Sequence, residues 1–141
     1  MTVETVLREA RARLRRLTPD QAWSAVQEGA ALVDIRPEFQ RRAGGEIPGA
    51  IVIERVHLEW RCDPMGEARI PEAVDHRVRW IVICDEGYSS SLAAASLQAI
   101  GLDRATDVID GFQGWRAAGL PIVRPDRPTL PRLARTAPVV G

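Results

Sequence analysis

Trp80-Ile81-Val82-Ile83-Cys84-Asp85-Glu86-Gly87-Tyr88-Ser89-Ser90 is the stretch whose reading decides the fold. Its four leading apolar residues do not alternate with polar ones and are too few for a helix. They describe a strand buried on both faces, as in a parallel sheet. Gly87 interrupts the run. Ser89 to Ile100 then reads as a helix with Leu92, Ala93, Ser96, Leu97 and Ile100 on its inner face.

Downstream, Asp107-Val108-Ile109 predicts another strand, and Phe112 to Ala118 a short helix ended by Gly119 and Pro121. Upstream, Ala31 to Ile35 and Ala50 to Ile53 are two more apolar runs, the second following a Pro48-Gly49 turn. Thr18-Pro19-Asp20-Gln21 supplies an N-cap, a proline at the first helical position and a capping-box glutamine, so a helix over Ala22, Trp23, Ala25 and Val26 is expected to stop at Gly29. Strands alternating with helices predict an α/β fold with a mostly parallel sheet covered on both faces.

Three regions follow. Residues 1–17 form an N-terminal amphipathic helix with its apolar stripe on Val3, Leu7, Ala10, Leu14 and Leu17; residues 18–123 form the domain; residues 124–141 form a tail. The basic helix face (Arg8, Arg11, Arg15) is read as solvated, because acids are interleaved with the arginines. The tail carries Pro125, Pro128, Pro131 and Pro138 among arginines and small residues, and is expected to be poorly ordered.

At 141 residues, with 45% hydrophobic and 27% charged, the chain suits one domain with a packed core. Acids and bases balance at 19 each, which argues against a nucleic-acid surface. Every base is arginine, which excludes lysine Schiff-base chemistry. No apolar run approaches the roughly 18 residues of a membrane span, and Met1 to Arg16 has no apolar signal-peptide region. Cys62 and Cys84 are too few for a disulfide scaffold and lack metal-ligand spacing, so no metal or cofactor is expected, and a reducing, cytoplasmic setting is.

Cys84 is the candidate nucleophile. A cysteine at the carboxyl end of a buried strand, before a glycine loop that opens a helix, meets inward-pointing N–H groups and the positive end of the helix. That setting favours an anion on sulfur, so a thiolate or persulfide is expected, although Asp85 and Glu86 make the expected lowering of the thiol pKa moderate. Gly87 lets the loop curl, Tyr88 completes it, and Ser89 and Ser90 can cap the helix or donate hydroxyl hydrogen bonds to bound sulfur. The plainer reading, a buried strand cysteine, is disfavoured by the strand-end position and the glycine loop.

In four ordered stretches the chain resembles the rhodanese (sulfurtransferase) family: Leu32-Val33-Asp34-Ile35-Arg36, Glu46-Ile47-Pro48-Gly49-Ala50, Ile83-Cys84-x-x-Gly87-x-Ser89, and Gly111-Phe112-Gln113-Gly114-Trp115 with Gly119-Leu120-Pro121. The resemblance covers about residues 18 to 123. It implies a rhodanese-like α/β fold with a central parallel sheet of about five strands and helices on both faces. It also implies that Cys84 takes sulfur from a small sulfane-sulfur donor or a protein persulfide and passes it to a thiol or cyanide-like acceptor. Such transfer needs neither a histidine base nor a metal, so His57 and His76 are read as surface or packing residues.

Two departures bear on substrate. Ser89 stands at the fifth step after Cys84, where an oxyanion-gripping phosphatase or arsenate-reductase-like loop would need arginine. Asp85 and Glu86 replace the basic residues of family loops that accept thiosulfate, so weak thiosulfate activity is expected. A non-catalytic binding or regulatory module is the alternative that the acidic loop keeps open. Arg36 and Arg61 are candidate substrate contacts, though Arg36 is more simply a structural partner of Asp34. Cys62 is read as a stray thiol before a resolving one. Glu46 replaces a frequent family histidine. Trp23, Trp60, Trp80 and Trp115 are read as core or core-edge residues.

Overall fold

Trp80–Ile83 is the central strand of the molecule, and all four of its residues are buried. The computed structural model describes residues 1–124. The sheet contains β1 (Ala31–Asp34), β2 (Ile51–Val52), β3 (Trp80–Ile83) and β4 (Thr106–Asp107) in the order β2-β1-β3-β4. Every pairing is parallel: Leu32 lies beside Ile81, Val33 beside Ile51, and Val82 beside Asp107. Leu17 adds a single parallel bridge to Val108 beyond β4. Four strands and that edge rung stand where about five strands were expected.

Strand alternation divides the core. Val33, Trp80 and Val82 face α4 (Leu58–Cys62) and α5 (Ser89–Ala99), through Leu58, Cys62, Ala93, Ala94 and Leu97. Leu32, Ile81 and Ile83 face α2 (Pro19–Gln27) and α6 (Gly111–Ala117), through Ala22, Ala25, Phe112 and Trp115. Each large apolar side chain taken fully out of water in these layers stabilises by about 1.5–3 kcal/mol. Trp23 and Trp115 meet edge to face at 6.0 Å and tie α2 to α6. The Thr18–Gln21 capping box forms as expected, and no helix among the described residues is long and apolar enough to cross a membrane.

Several expectations are corrected. The first helix, α1, spans Val3–Ala12 and not the full stripe to Leu17, because the chain turns at Arg13 and Leu17 leaves to join the sheet edge. α1 packs on α5. Two helices lie where the sequence reading placed none, α3 (Glu38–Gly44) and α4. Trp60 is exposed: Leu58 and Cys62, four apart, take the buried face of α4 and leave Trp60 outward. The tail reading falls on residues outside those described, apart from Arg124, whose Nη1 donates to the Ala43 carbonyl.

Candidate active site

β3 delivers Cys84 to the carboxyl edge of the sheet, and the loop 85–88 folds back over its sulfur. The Gly87 N–H donates to Cys84 Sγ at 3.1 Å and the Ser90 N–H at 3.3 Å. Ser90 lies in the first turn of α5, whose unpaired N–H groups carry the positive end of the helix dipole. Hydrogen bonds of this kind to a charged acceptor contribute about 1.5–3 kcal/mol each, so the cradle favours negative charge on sulfur. Cys84 is 6% exposed, and it is a free thiol.

Gly87 is required by the curl. Its φ is +89°, and a Cβ there would meet the Asp110 N at 2.8 Å. The start of α6 donates both backbone bonds of this seam, Phe112 N to Cys84 O at 2.8 Å and Gln113 N to Asp85 O at 3.0 Å. The Gln113 side chain also donates to Asp85 Oδ1 at 3.0 Å, which turns that carboxylate toward α6. Glu86 is exposed. The Gly111-Phe112-Gln113 segment therefore holds the Cys84 loop from one side.

Asp107 holds it from another. This carboxylate is fully buried at the end of β4 and accepts from Ser90 Oγ and Ser91 Oγ at 2.7 Å each. Arg16 pairs with it through Nε at 2.9 Å and Nη2 at 3.2 Å. Arg16 Nη2 and Arg11 Nη2 both donate to the Gly87 carbonyl, at 3.0 and 2.7 Å. Arg11 Nε reaches Ser91 Oγ at 3.1 Å, and its guanidinium lies 5.5 Å from the centre of the Tyr88 ring.

The sequence-predicted residues divide. Cys84, Asp85, Glu86, Gly87, Tyr88, Ser89 and Ser90 form one continuous loop and helix start. Ser90 meets the sulfur with its backbone N–H and not its hydroxyl, which Asp107 takes; Ser89 is exposed and caps nothing. Arg36 takes the place of a structural partner of Asp34. Its side chain is buried, paired with Asp34 through Nε and Nη2, bonded to Gly45 O at 2.8 Å and stacked 3.9 Å from the Phe112 ring centre. It thus supports the residue whose N–H holds Cys84 O. Arg61 is exposed and donates to Ala68 O at 2.7 Å, closing the loop after α4; among the described residues it makes no hydrogen bond to the Cys84 loop.

Cys62 is buried at the end of α4. Burial, with the neighbouring Glu59 charge, pushes its thiol up to about 12. Burial also opposes ionisation of Glu59, but hydrogen bonds from Ser96 and its own backbone, with Arg55 alongside, outweigh it and hold that carboxyl below its ordinary range. Glu46 pairs with Arg41 at 2.9 Å, and His57 and His76 are exposed.

Sequence reading missed Arg11, Arg16, Ser91, Asp107 and Gln113. Asp107 carried a usable signal, an acid directly before the apolar Val108-Ile109 pair in the run read as a strand. Arg11 carried none, because helical spacing does not reveal which basic residue meets a neighbour.

Comparison with known proteins bears on this geometry. Residues 18–118 match the model of the rhodanese-like domain. The chain is 38% identical over 107 residues to thiosulfate sulfurtransferase GlpE of Actinobacillus succinogenes, covering 75% of this chain and 87% of the relative. It is 36% identical over 108 residues to the Haemophilus influenzae protein of the same name, covering 77% and 93%. Among solved structures, a Rhodopseudomonas palustris protein of unknown function, described as a possible tyrosine phosphatase, superposes with a TM-score of 0.78 at 30% identity, covering 86% of this chain and 94% of that one. A rhodanese-related protein of Thermoplasma volcanium, 24% identical with a TM-score of 0.62 and covering 78% and 98%, shares the fold.

Proposed function

Because the chain belongs to the rhodanese-like domain family, we propose that it is a sulfurtransferase that carries sulfane sulfur as a persulfide on Cys84. The observation that carries this reading is the pair of backbone N–H groups aimed at Cys84 Sγ. In the first half-reaction the Cys84 thiolate attacks the outer sulfur of the donor. The donor's sulfur–sulfur bond breaks, its electron pair leaves with the departing group, and a Cys84–S–S⁻ persulfide remains. In the second, a thiolate or cyanide attacks the outer sulfur, the Cys84–sulfur bond breaks, and the electron pair returns to Sγ. No external oxidant or reductant enters. The N–H pair meets the charge whenever it sits on Sγ.

The donor is a small persulfide or a protein-bound one in preference to thiosulfate. The loop offers Asp85 and Glu86 and no base of its own, and thiosulfate brings two further negative charges. Two free thiols suit a reducing compartment such as the cytoplasm. A phosphatase reading is disfavoured by the position of the guanidiniums. Arg11 and Arg16 approach the loop from behind, on the Gly87 carbonyl, and do not line the sulfur cradle where a tetrahedral oxyanion would be gripped.

The test is transfer to cyanide from a glutathione persulfide donor by wild type and Cys84→Ser. Loss of turnover in the serine variant, with the melting temperature kept, is expected. Retention of most of the activity would remove Cys84 from the reaction.

A further inference from the structure

Two guanidiniums from the segment preceding residue 18 converge on one carbonyl oxygen of the catalytic loop, that of Gly87. Each is anchored by a second contact, Arg16 on buried Asp107 and Arg11 on Ser91 Oγ, so their aim is determined by the fold. No peptide bond among the described residues is cis. In a trans peptide the N–H of the following residue points opposite to the carbonyl. Fixing Gly87 O toward the arginines therefore turns the Tyr88 N–H away from them. Cationic donors on the carbonyl also polarise the peptide unit and strengthen that N–H as a donor.

The Gly87 and Ser90 N–H groups, on either side in sequence, already point to Cys84 Sγ. The Tyr88 N–H has no acceptor among the described residues. Resting on the persulfide reading above, we propose that Arg11 and Arg16 are positioning residues for sulfur transfer, which hold the Gly87–Tyr88 peptide so that the Tyr88 N–H meets the outer sulfur of the Cys84 persulfide. The cradle then divides its donors. Gly87 and Ser90 serve Sγ, the leaving atom when the acceptor attacks, and Tyr88 serves the sulfur that is attacked. The charge-bearing N-terminal segment is part of the active site by this device, although neither arginine touches substrate.

The test uses the full chain with Arg11→Met, which removes the guanidinium and keeps the stem, and with Arg11→Lys. Arg16→Met is made together with Asp107→Asn, so that no unpaired buried carboxylate is left. Turnover of glutathione persulfide with cyanide, melting temperature and the mass of loaded protein are measured for each. In Arg11→Met, kcat is expected to fall about tenfold with donor KM within about twofold and the melting temperature nearly unchanged. Arg11→Lys should recover part of the loss, since an ammonium can still donate to one carbonyl. Wild-type kcat in Arg11→Met, or a fall no larger than its loss of folded protein, overturns the positioning role. If Arg11→Met does not fold, a folded and fully active Arg16→Met/Asp107→Asn variant overturns it equally. A wild-type protein that forms no persulfide on Cys84 overturns the parent reading and this proposal together, whereas a wild-type persulfide with indifferent arginine variants overturns this proposal alone.

Discussion

Gly111→Ala places one methyl group in the seam between α6 and the Cys84 loop, and on the proposed function it is expected to lower turnover without touching the loop's own sequence. Gly111 has φ +54°, a left-handed conformation that costs an L-residue about 1–2 kcal/mol. The added Cβ would lie 2.5 Å from Cys84 O, 2.8 Å from the Asp85 carbonyl carbon and 2.8 Å from the Gly87 N. Since Cβ contacts below 3.0 Å essentially never occur, Cys84 O must retreat by at least 0.5 Å (3.0 − 2.5), and the obstructing atoms are backbone. The Phe112 N–H bond to Cys84 O crosses the same seam, and its misalignment costs about 1 kcal/mol more. The sum, about 2–3 kcal/mol, corresponds to a melting temperature lower by about 10 °C in a domain of this size. The Gly87 N, which is also the donor to Sγ, must retreat by at least 0.2 Å (3.0 − 2.8), and since a misplacement of about 1 Å in a reacting geometry costs about a hundredfold in rate, a several-fold fall in kcat is expected. Turnover measured well below the melting point separates the two effects. A variant with wild-type kcat would refute the claim that this seam positions the sulfur cradle.

Other consequences follow from the charges and thiols. Asp85→Asn with Glu86→Gln should raise thiosulfate kcat/KM about tenfold and barely alter a low-charge persulfide donor. The gain is no larger because Glu86 is exposed and Asp85 is turned toward Gln113, and it should shrink with added salt. Equal responses of both donors would show that neither carboxylate faces the substrate. For Cys62, a folded-state thiol raised from 9.0 to about 12 contributes stability that is complete below pH 9 and lost as pH climbs toward 12, because the unfolded chain releases the proton first. Wild type should therefore lose more stability than Cys62→Ala across that window, and identical slopes in alkaline melts would refute the assignment. Iodoacetamide near pH 8.5 should spare Cys62 in the native protein, and rapid labelling there would refute its burial.

Burial explains which parts of this architecture were legible in the sequence. β1 and β3 lie between two helical layers, so they appear as apolar runs, that of β1 interrupted only by Asp34, and β3 points directly at Cys84. β2 and β4 are only two residues long, too short to give boundaries. α3 buries only Arg41 among its side chains and exposes Phe39, and α4 buries just Leu58 and Cys62, so neither has a periodic stripe to read. At the site, the loop from Cys84 to Ser90 was legible because its chemistry is local. The support was not. Arg11, Arg16, Asp107 and Gln113 reach the loop from remote parts of the chain, and their partners are set by how α1, β4 and α6 pack. The same packing encloses the Arg36 guanidinium between Asp34 and Phe112.

The most direct test of the central claim is the intact mass of the protein after brief exposure to glutathione persulfide, with peptide mapping before and after cyanide. The account predicts a gain of one sulfur atom on Cys84, its discharge by cyanide as thiocyanate, and no gain in Cys84→Ser. A protein that stays unloaded, or that carries the added sulfur on Cys62, would contradict it.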